Sequence, residues 1–101
     1  MVMKGKPFIV TTSGVQEESD RNPQFSKDVA KALSRFFTKD WGNVEQEDWD
    51  SNDRDYKKLT TGGYGRILAA YNSTETHKYG NKKFWIIRDT EAITVLFPEE
   101  Y

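Results

Sequence analysis

The apolar residues of this chain change their repeat partway along it. Phe25, Val29, Leu33, Phe36 and Phe37 fall at i, i+4, i+8, i+11 and i+12. That places them on one side of a helix with 3.6 residues per turn. Beyond residue 63 the pattern becomes three short apolar segments. Residues 64–71 carry Tyr64, Ile67, Leu68 and Tyr71, residues 83–88 carry Phe84, Trp85, Ile86 and Ile87, and residues 92–97 carry Ile93, Val95, Leu96 and Phe97. Runs of this length, rich in β-branched and aromatic residues, read as strands. A helical stripe and a set of strands within 101 residues bury their apolar faces by stacking in layers.

The remaining segments fill in the order. Residues 6–12 include Phe8 and the β-branched Ile9, Val10, Thr11 and Thr12, a strand pattern. Residues 13–23 hold Gly14, Asn22, Pro23 and the acidic Glu17, Glu18 and Asp20, which reads as a polar loop. Asn22 before Pro23 suits an N-cap with proline at the first helical position, so the helix is expected over residues 25–38, with Gly42 as its stop. Residues 44–59 read as a second helix anchored by Val44, Trp49, Tyr56 and Leu59. A break is expected at Asp50-Ser51-Asn52-Asp53, because these side chains compete for backbone hydrogen bonds. Residues 60–63 form a turn, residues 89–91 a hairpin connection, and Pro98 ends the last strand. The expected architecture is one α+β domain over residues 1–101. It is a small two-layer sandwich in strand-helix-helix-strand-strand-strand order, with an antiparallel sheet and both helices on one face.

Composition narrows the function classes. There is no cysteine, which removes disulfides, Cys-type zinc sites, iron–sulfur clusters and thiol nucleophiles. A net charge of −1 does not suit a generic nucleic-acid coat. No apolar run approaches the roughly 18 residues of a membrane span, and Met1 to Lys6 lack the apolar core of a secretory signal, so a cytoplasmic location is expected. An aromatic share of 14% compensates for an apolar share of only 36%. It is compatible with a monomer, or with a homodimer that buries leftover aromatics.

Charge is unevenly spread. Residues 40–55 contain Asp40, Glu45, Glu47, Asp48, Asp50, Asp53 and Asp55 against Arg54 alone, a net of −6. With the whole chain at −1, the rest carries +5. Such a run can be a solvated helix face. It can also dock on a basic groove that ordinarily holds phosphates, since complementary potentials steer encounter. A divalent-metal site is the third reading. Asp48, Asp50 and Asn52 alternate as in an EF-hand loop, but no glycine follows and position 12 is Leu59. Trp41 and Trp49 sit beside these acids, as core residues or as aromatic anchors of an interface. No motif calls for a cofactor.

Other features carry less. Thr61-Gly62-Gly63-Tyr64-Gly65-Arg66 lacks the Gly-Lys-Ser/Thr ending of a phosphate loop and reads as a turn into a strand. His77, the single histidine, reads as an exposed loop residue without a nucleophile motif around it. Arg66, Lys78, Lys82, Lys83 and Arg88 with Tyr79 and Trp85 are the material of a single-strand nucleic-acid patch, or ordinary strand and loop charges.

Four segments in order carry a family resemblance: Asp40-Trp41-Gly42, Arg66-Ile67-Leu68-Ala69-Ala70-Tyr71, Phe84-Trp85-Ile86-Ile87, and Thr94-Val95-Leu96-Phe97-Pro98-Glu99-Glu100-Tyr101. The chain resembles a family of short accessory proteins, about 100 residues long, encoded by phages, plasmids and integrated elements of Gram-positive bacteria. The likeness runs over residues 6–101, with the closing segment its most specific part. It departs at Arg88-Asp89-Thr90-Glu91, where relatives carry a Thr-Glu-Ala-Asp-Arg-type turn. The resemblance implies a mobile-element protein and transfers no catalytic residue. Small acidic-faced proteins of such elements often disarm host defence, as anti-CRISPR and anti-restriction proteins do. The expectation is therefore a non-enzymatic, stoichiometric inhibitor of a host defence nuclease, a CRISPR effector such as Cas9 or a restriction enzyme. Its contact residues would be Glu45, Glu47, Asp48, Trp49, Asp50, Asp53 and Asp55. Neither a membrane nor free nucleic acid is expected as a partner. A nucleic-acid-binding accessory module and a small metal-dependent enzyme are the alternatives.

Overall fold

The computed structural model describes residues 7–101. Lys6 and the signal-peptide reading of Met1 to Lys6 lie outside the described residues. The elements run β1 Phe8–Thr11, α1 Ser13–Arg21, α2 Pro23–Phe37, α3 Gln46–Thr60, β2 Ile67–Asn72, β3 Lys83–Arg88 and β4 Ala92–Leu96, with a closing 3₁₀ turn at Pro98–Glu100. Four strands form one sheet in the order β1-β4-β3-β2. β2, β3 and β4 make the expected antiparallel meander, with Ala69 opposite Ile86 and Ile86 opposite Val95.

β1 corrects the all-antiparallel expectation. It lies parallel to β4, with Phe8 opposite Ala92 and Thr11 opposite Val95. Direction at a hairpin is forced by the short turn. Between β1 and β2 the chain instead crosses through three helices, and a crossover leaves a parallel neighbour open. The sheet is therefore mixed.

A second correction concerns residues 13–23, which are mostly helix. Thr12 is the N-cap of α1, its side chain accepting from the Val15 N–H at 3.3 Å. The Glu100 carboxylate reaches the same helix end across the sequence and accepts from the Gly14 N–H at 3.0 Å. A Cβ at Gly14 would stand 2.3 Å from Glu100 Oε2, so the missing side chain is what admits the carboxylate. The polar composition signalled a loop because the partner that stabilises this helix lies 86 residues away. α2 begins as expected, with Asn22 Oδ1 accepting from the Gln24 and Phe25 N–H groups and Pro23 at the first helical position.

The helices and one sheet face share a core. Val15, Phe25, Val29, Ala32, Phe36, Trp41 and Leu59 pack against Ile67, Ala69, Tyr71, Phe84, Ile86, Ile93, Val95 and Phe97. Phe25 sits edge-on to Phe84 with ring centres 5.6 Å apart, and Phe36 edge-on to Trp41 at 5.2 Å. On the opposite sheet face Ile87 and Leu96 are buried, and the Tyr101 ring packs on Trp85 at 5.6 Å. Phe8, Ile9 and Val10 of the edge strand β1 are exposed.

His77 is buried, not exposed. Its loop folds back over the core, where the imidazole lies 4.2 Å from the Phe97 ring. Nε2 contacts the Lys83 carbonyl at 2.8 Å and Nδ1 accepts from the Tyr79 N–H at 3.2 Å. With Nδ1 accepting, Nε2 is the nitrogen that donates to the Lys83 carbonyl. Among the described residues no helix is long and apolar enough to cross a membrane.

Candidate functional site

The acidic run becomes α3, and α3 does not break at its centre. Three of the four side chains expected to disrupt it, those of Asp50, Asn52 and Asp53, have other partners. Asn52 is buried and turns to the free edge of β2, donating from Nδ2 to the Leu68 carbonyl at 2.9 Å and accepting the Leu68 N–H at 3.3 Å. Asp50 accepts from Gln46 one turn earlier at 2.8 Å. Asp53 accepts the indole N–H of Trp41 at 2.9 Å. With those groups occupied, they do not compete for the helix's own backbone. Glu47 and Asp48 in the first turn and Lys57 and Lys58 in the last oppose the helix dipole favourably.

α3 and the segment before it close the sheet edge. Asp55 accepts the Arg66 N–H at 2.9 Å, Asn52 pairs both polar groups of Leu68, the Trp41 carbonyl accepts from Ala70, and the Asn43 N–H donates to the Ala70 carbonyl at 2.7 Å. An open strand edge is a template for unwanted pairing, and here side chains and a loop cover it.

Asp40-Trp41-Gly42 is the joint that seats this edge cover. Asp40 takes two bonds from Arg35 of α2, at 2.8 and 3.3 Å, and one from the Gly42 N–H at 3.1 Å. The Arg35 guanidinium, with help from the Gly42 N–H, holds the Asp40 carboxyl below the usual aspartate range against the opposing effect of desolvation. Trp41 is fully buried. Gly42 bridges Ala70 with φ of +77°, and a Cβ there would stand 2.0 Å from the Ala70 carbonyl oxygen. It therefore serves close backbone approach, while α2 itself ends earlier, at Phe37.

The seven expected contact residues do not share one face. Glu45 at the N-cap and Glu47, Asp48 and Asp50 on the first half of α3 are exposed, and among the described residues none of them takes part in an ion pair. Asp53 and Asp55 are tied to Trp41 and Arg66, as above, and Asp55 also lies 3.7 Å from Lys58. Trp49 is half-buried against the core. Two clefts flank the helix. One, about 280 Å³, lies between Asp48, Ser51 and Asn52 on one side and Arg66, Leu68 and Tyr101 on the other. Arg66 donates to the Tyr101 hydroxyl and stacks on its ring, 5.2 Å from the centre. The second, about 410 Å³, lies on the other flank among Lys39, Trp49, Asp53, Tyr56 and Lys57.

The remaining candidates resolve plainly. Residues 61–66 form a turn into β2, with Gly62 at φ of +88°. The basic–aromatic set does not gather on one surface, although Arg66 and Trp85 both pack on the Tyr101 ring. The register puts Arg88 on the core face beside Ile67 and Ile93, and Lys83 and Trp85 on the other, while Lys78 pairs with Glu17 at 3.1 Å. Among the described residues no three Asp, Glu or His side chains form a group able to hold a metal ion. The alternation of Asp48, Asp50 and Asn52 lies on a helix, where residues two apart point in different directions. Sequence reasoning missed Tyr101, and it read Asn52 as a helix breaker and an EF-hand-type position rather than as the clamp to β2. An asparagine in mid-helix was the one available signal, since it gains little there unless its amide has a partner.

Comparison with protein families, with curated proteins and with solved structures returns no match for this chain.

Proposed function

We propose that this chain works by binding rather than by catalysis. It acts as an anti-CRISPR-like or anti-restriction inhibitor that docks stoichiometrically on the basic channel of a host defence nuclease. The carrier is a phage or other mobile element, acting in the cytoplasm of its bacterial host. One observation carries the reading: Glu45, Glu47, Asp48 and Asp50 project from the start of a helix clamped to the sheet edge, and none is committed to an ion pair among the described residues. Unpaired carboxylates on a rigid support keep their charge for a partner, and little side-chain order is lost elsewhere when they dock. The family resemblance supplies the class of target.

The test is a cleavage assay with stoichiometric protein and a panel of host CRISPR and restriction nucleases. Inhibition is expected of at least one nuclease, falling as salt rises from about 0.1 to 0.5 M, because screening shortens the reach of exposed charges. The triple variant Glu47→Gln, Asp48→Asn, Asp50→Asn should lose inhibition while keeping the native circular dichroism spectrum. Asp53 and Asp55 stay untouched, since they hold Trp41 and Arg66. Full inhibition by the folded triple variant would remove these carboxylates from the mechanism.

A further inference from the structure

The cleft on the other flank of α3 has a lining that the docking reading does not use. α2 and α3 end in the same way. Beyond α2, the Lys39 N–H bonds the Phe36 carbonyl at 3.1 Å and the Asp40 N–H the Arg35 carbonyl at 2.9 Å. Beyond α3, the Gly63 N–H bonds the Lys58 carbonyl at 2.7 Å. Such ends place one residue in the left-handed conformation, where glycine is unstrained. α3 uses Gly62, at φ of +88°, whereas α2 uses Lys39, at φ of +66°. The strained lysine has an evident placement. Its amine stands 5.2 Å from the centre of the Tyr56 ring, at the cleft, and it makes no ion pair among the described residues.

The cleft offers three kinds of contact at once. Trp49 and Tyr56 give aromatic surface, Lys39 and Lys57 give two amines without ion-pair partners among the described residues, and Asp53 gives a fixed acceptor. Asp53 Oδ1 is held by the Trp41 indole N–H, leaving Oδ2 without a hydrogen-bond partner among the described residues. Its volume, about 410 Å³, falls in the range of small-molecule sites. Each simpler ligand leaves part of this set unused. An inorganic anion has no use for the rings, an apolar molecule leaves two amines unpaired, and a cation meets two lysines. A nucleoside phosphate uses all of it: the base on the aromatic surface, the phosphate at Lys39 and Lys57, and a base N–H at Asp53. We propose that the cleft between the end of α2 and the outer flank of α3 binds a nucleoside phosphate, as a free nucleotide or as the terminal nucleotide of a single strand. This does not rest on the docking reading, because Lys39 and Lys57 are not among those carboxylates.

The test is calorimetric titration of the whole protein with adenosine 5′-monophosphate, adenosine, inorganic phosphate and a 5′-phosphorylated eight-nucleotide oligo-dA. The variants are Lys39→Gly and Lys57→Gln. At least one phosphorylated adenine probe is expected to bind with Kd below about 1 mM, with adenosine and phosphate each about tenfold weaker or more. An oligonucleotide that binds tighter than the monophosphate identifies a strand end as the source, and equal or weaker binding identifies the free nucleotide. Lys39→Gly should weaken binding about tenfold, as loss of a charge-assisted contact does. Its thermal midpoint should stay level or rise, since glycine relieves the left-handed strain. A lysine kept for stability alone would give the opposite melting result. No heat from the monophosphate or the oligonucleotide at about 5 mM, or binding undiminished in both variants, overturns the proposal.

Discussion

Asn52 is the residue on which the placement of α3 turns, and its removal has a size that can be worked out. The side chain is 5% exposed and supplies two bonds to Leu68, at 2.9 and 3.3 Å. Asn52→Ala deletes both, each worth about 1 kcal/mol net. It also leaves the Leu68 N–H and carbonyl facing a partly buried edge, at about 1–3 kcal/mol for a group that water does not reach. The adjoining cleft beside Leu68 and Tyr101 lets water reach some of this edge, so the total should be about 2–4 kcal/mol rather than the full sum. For a domain of this size that lowers the melting midpoint by roughly 10–25 °C. Asn52→Asp should be at least as damaging, because a carboxylate accepts the Leu68 N–H but repels the Leu68 carbonyl. Urea unfolding gives the energy, and amide hydrogen exchange gives the location: the Leu68 amide should exchange much faster in Asn52→Ala, while Ile86 in the central strand loses only the protection that the fall in global stability removes. The uncovered edge should also raise the tendency to self-associate. A loss below about 0.5 kcal/mol with unchanged Leu68 exchange would refute the claim that this side chain holds the helix to the sheet.

Two further outcomes follow from the same kind of reasoning. Glu100 accepts from Thr12, Gly14 and Phe97 and so joins the C-terminus to the start of α1. Glu100→Ala should cost about 2–4 kcal/mol in a denaturant melt, and Gly14→Ala should also destabilise, because its Cβ would displace that carboxylate; a neutral Gly14→Ala would show that the carboxylate can move aside freely. Asp40 has its pKa lowered from 3.8, first by the Arg35 hydrogen bond, so its contribution is present above the unfolded value and is lost as pH falls through the lower folded one. The stability gap between wild type and Asp40→Asn should therefore be open at pH 6 and close as pH drops below 3.8, and a gap that persists unchanged at about pH 2 would contradict the Arg35 pairing.

The elements that a local signal specifies were legible in the sequence. The start of α2 could be read because Asn22 and Pro23 act within three residues of themselves. The hairpin between β3 and β4 could be read because a short connection forces an antiparallel pair. α1 could not, since composition offers no view of Glu100, 86 residues from Gly14. The continuity of α3 was hidden for the same reason: Asp50-Ser51-Asn52-Asp53 is a poor helix in isolation, and Leu68 and Trp41 change that balance only once the sheet exists. His77 followed suit, its polar loop giving no sign that it would close over Phe97.

The candidate site divides along the same line. By itself the sequence determined that residues 40–55 concentrate negative charge and that two tryptophans lie among those acids, because charge and residue type are properties of single positions. It determined the α+β layering too, because a helical period followed by strand-length runs has few ways to bury itself. Only the tertiary structure decided which carboxylates remain free. Asp40, Asp53 and Asp55 are tied to Arg35, Trp41 and the Arg66 backbone, Asp53 while staying exposed, whereas among the described residues Glu45, Glu47, Asp48 and Asp50 make no bond to another element. It likewise decided that β1 runs parallel to β4 and that Lys39 meets Tyr56 beside Trp49. Each of these depends on segments far apart in the chain, and their pairing is set by which polar groups at the sheet edge and helix ends would otherwise go unsatisfied.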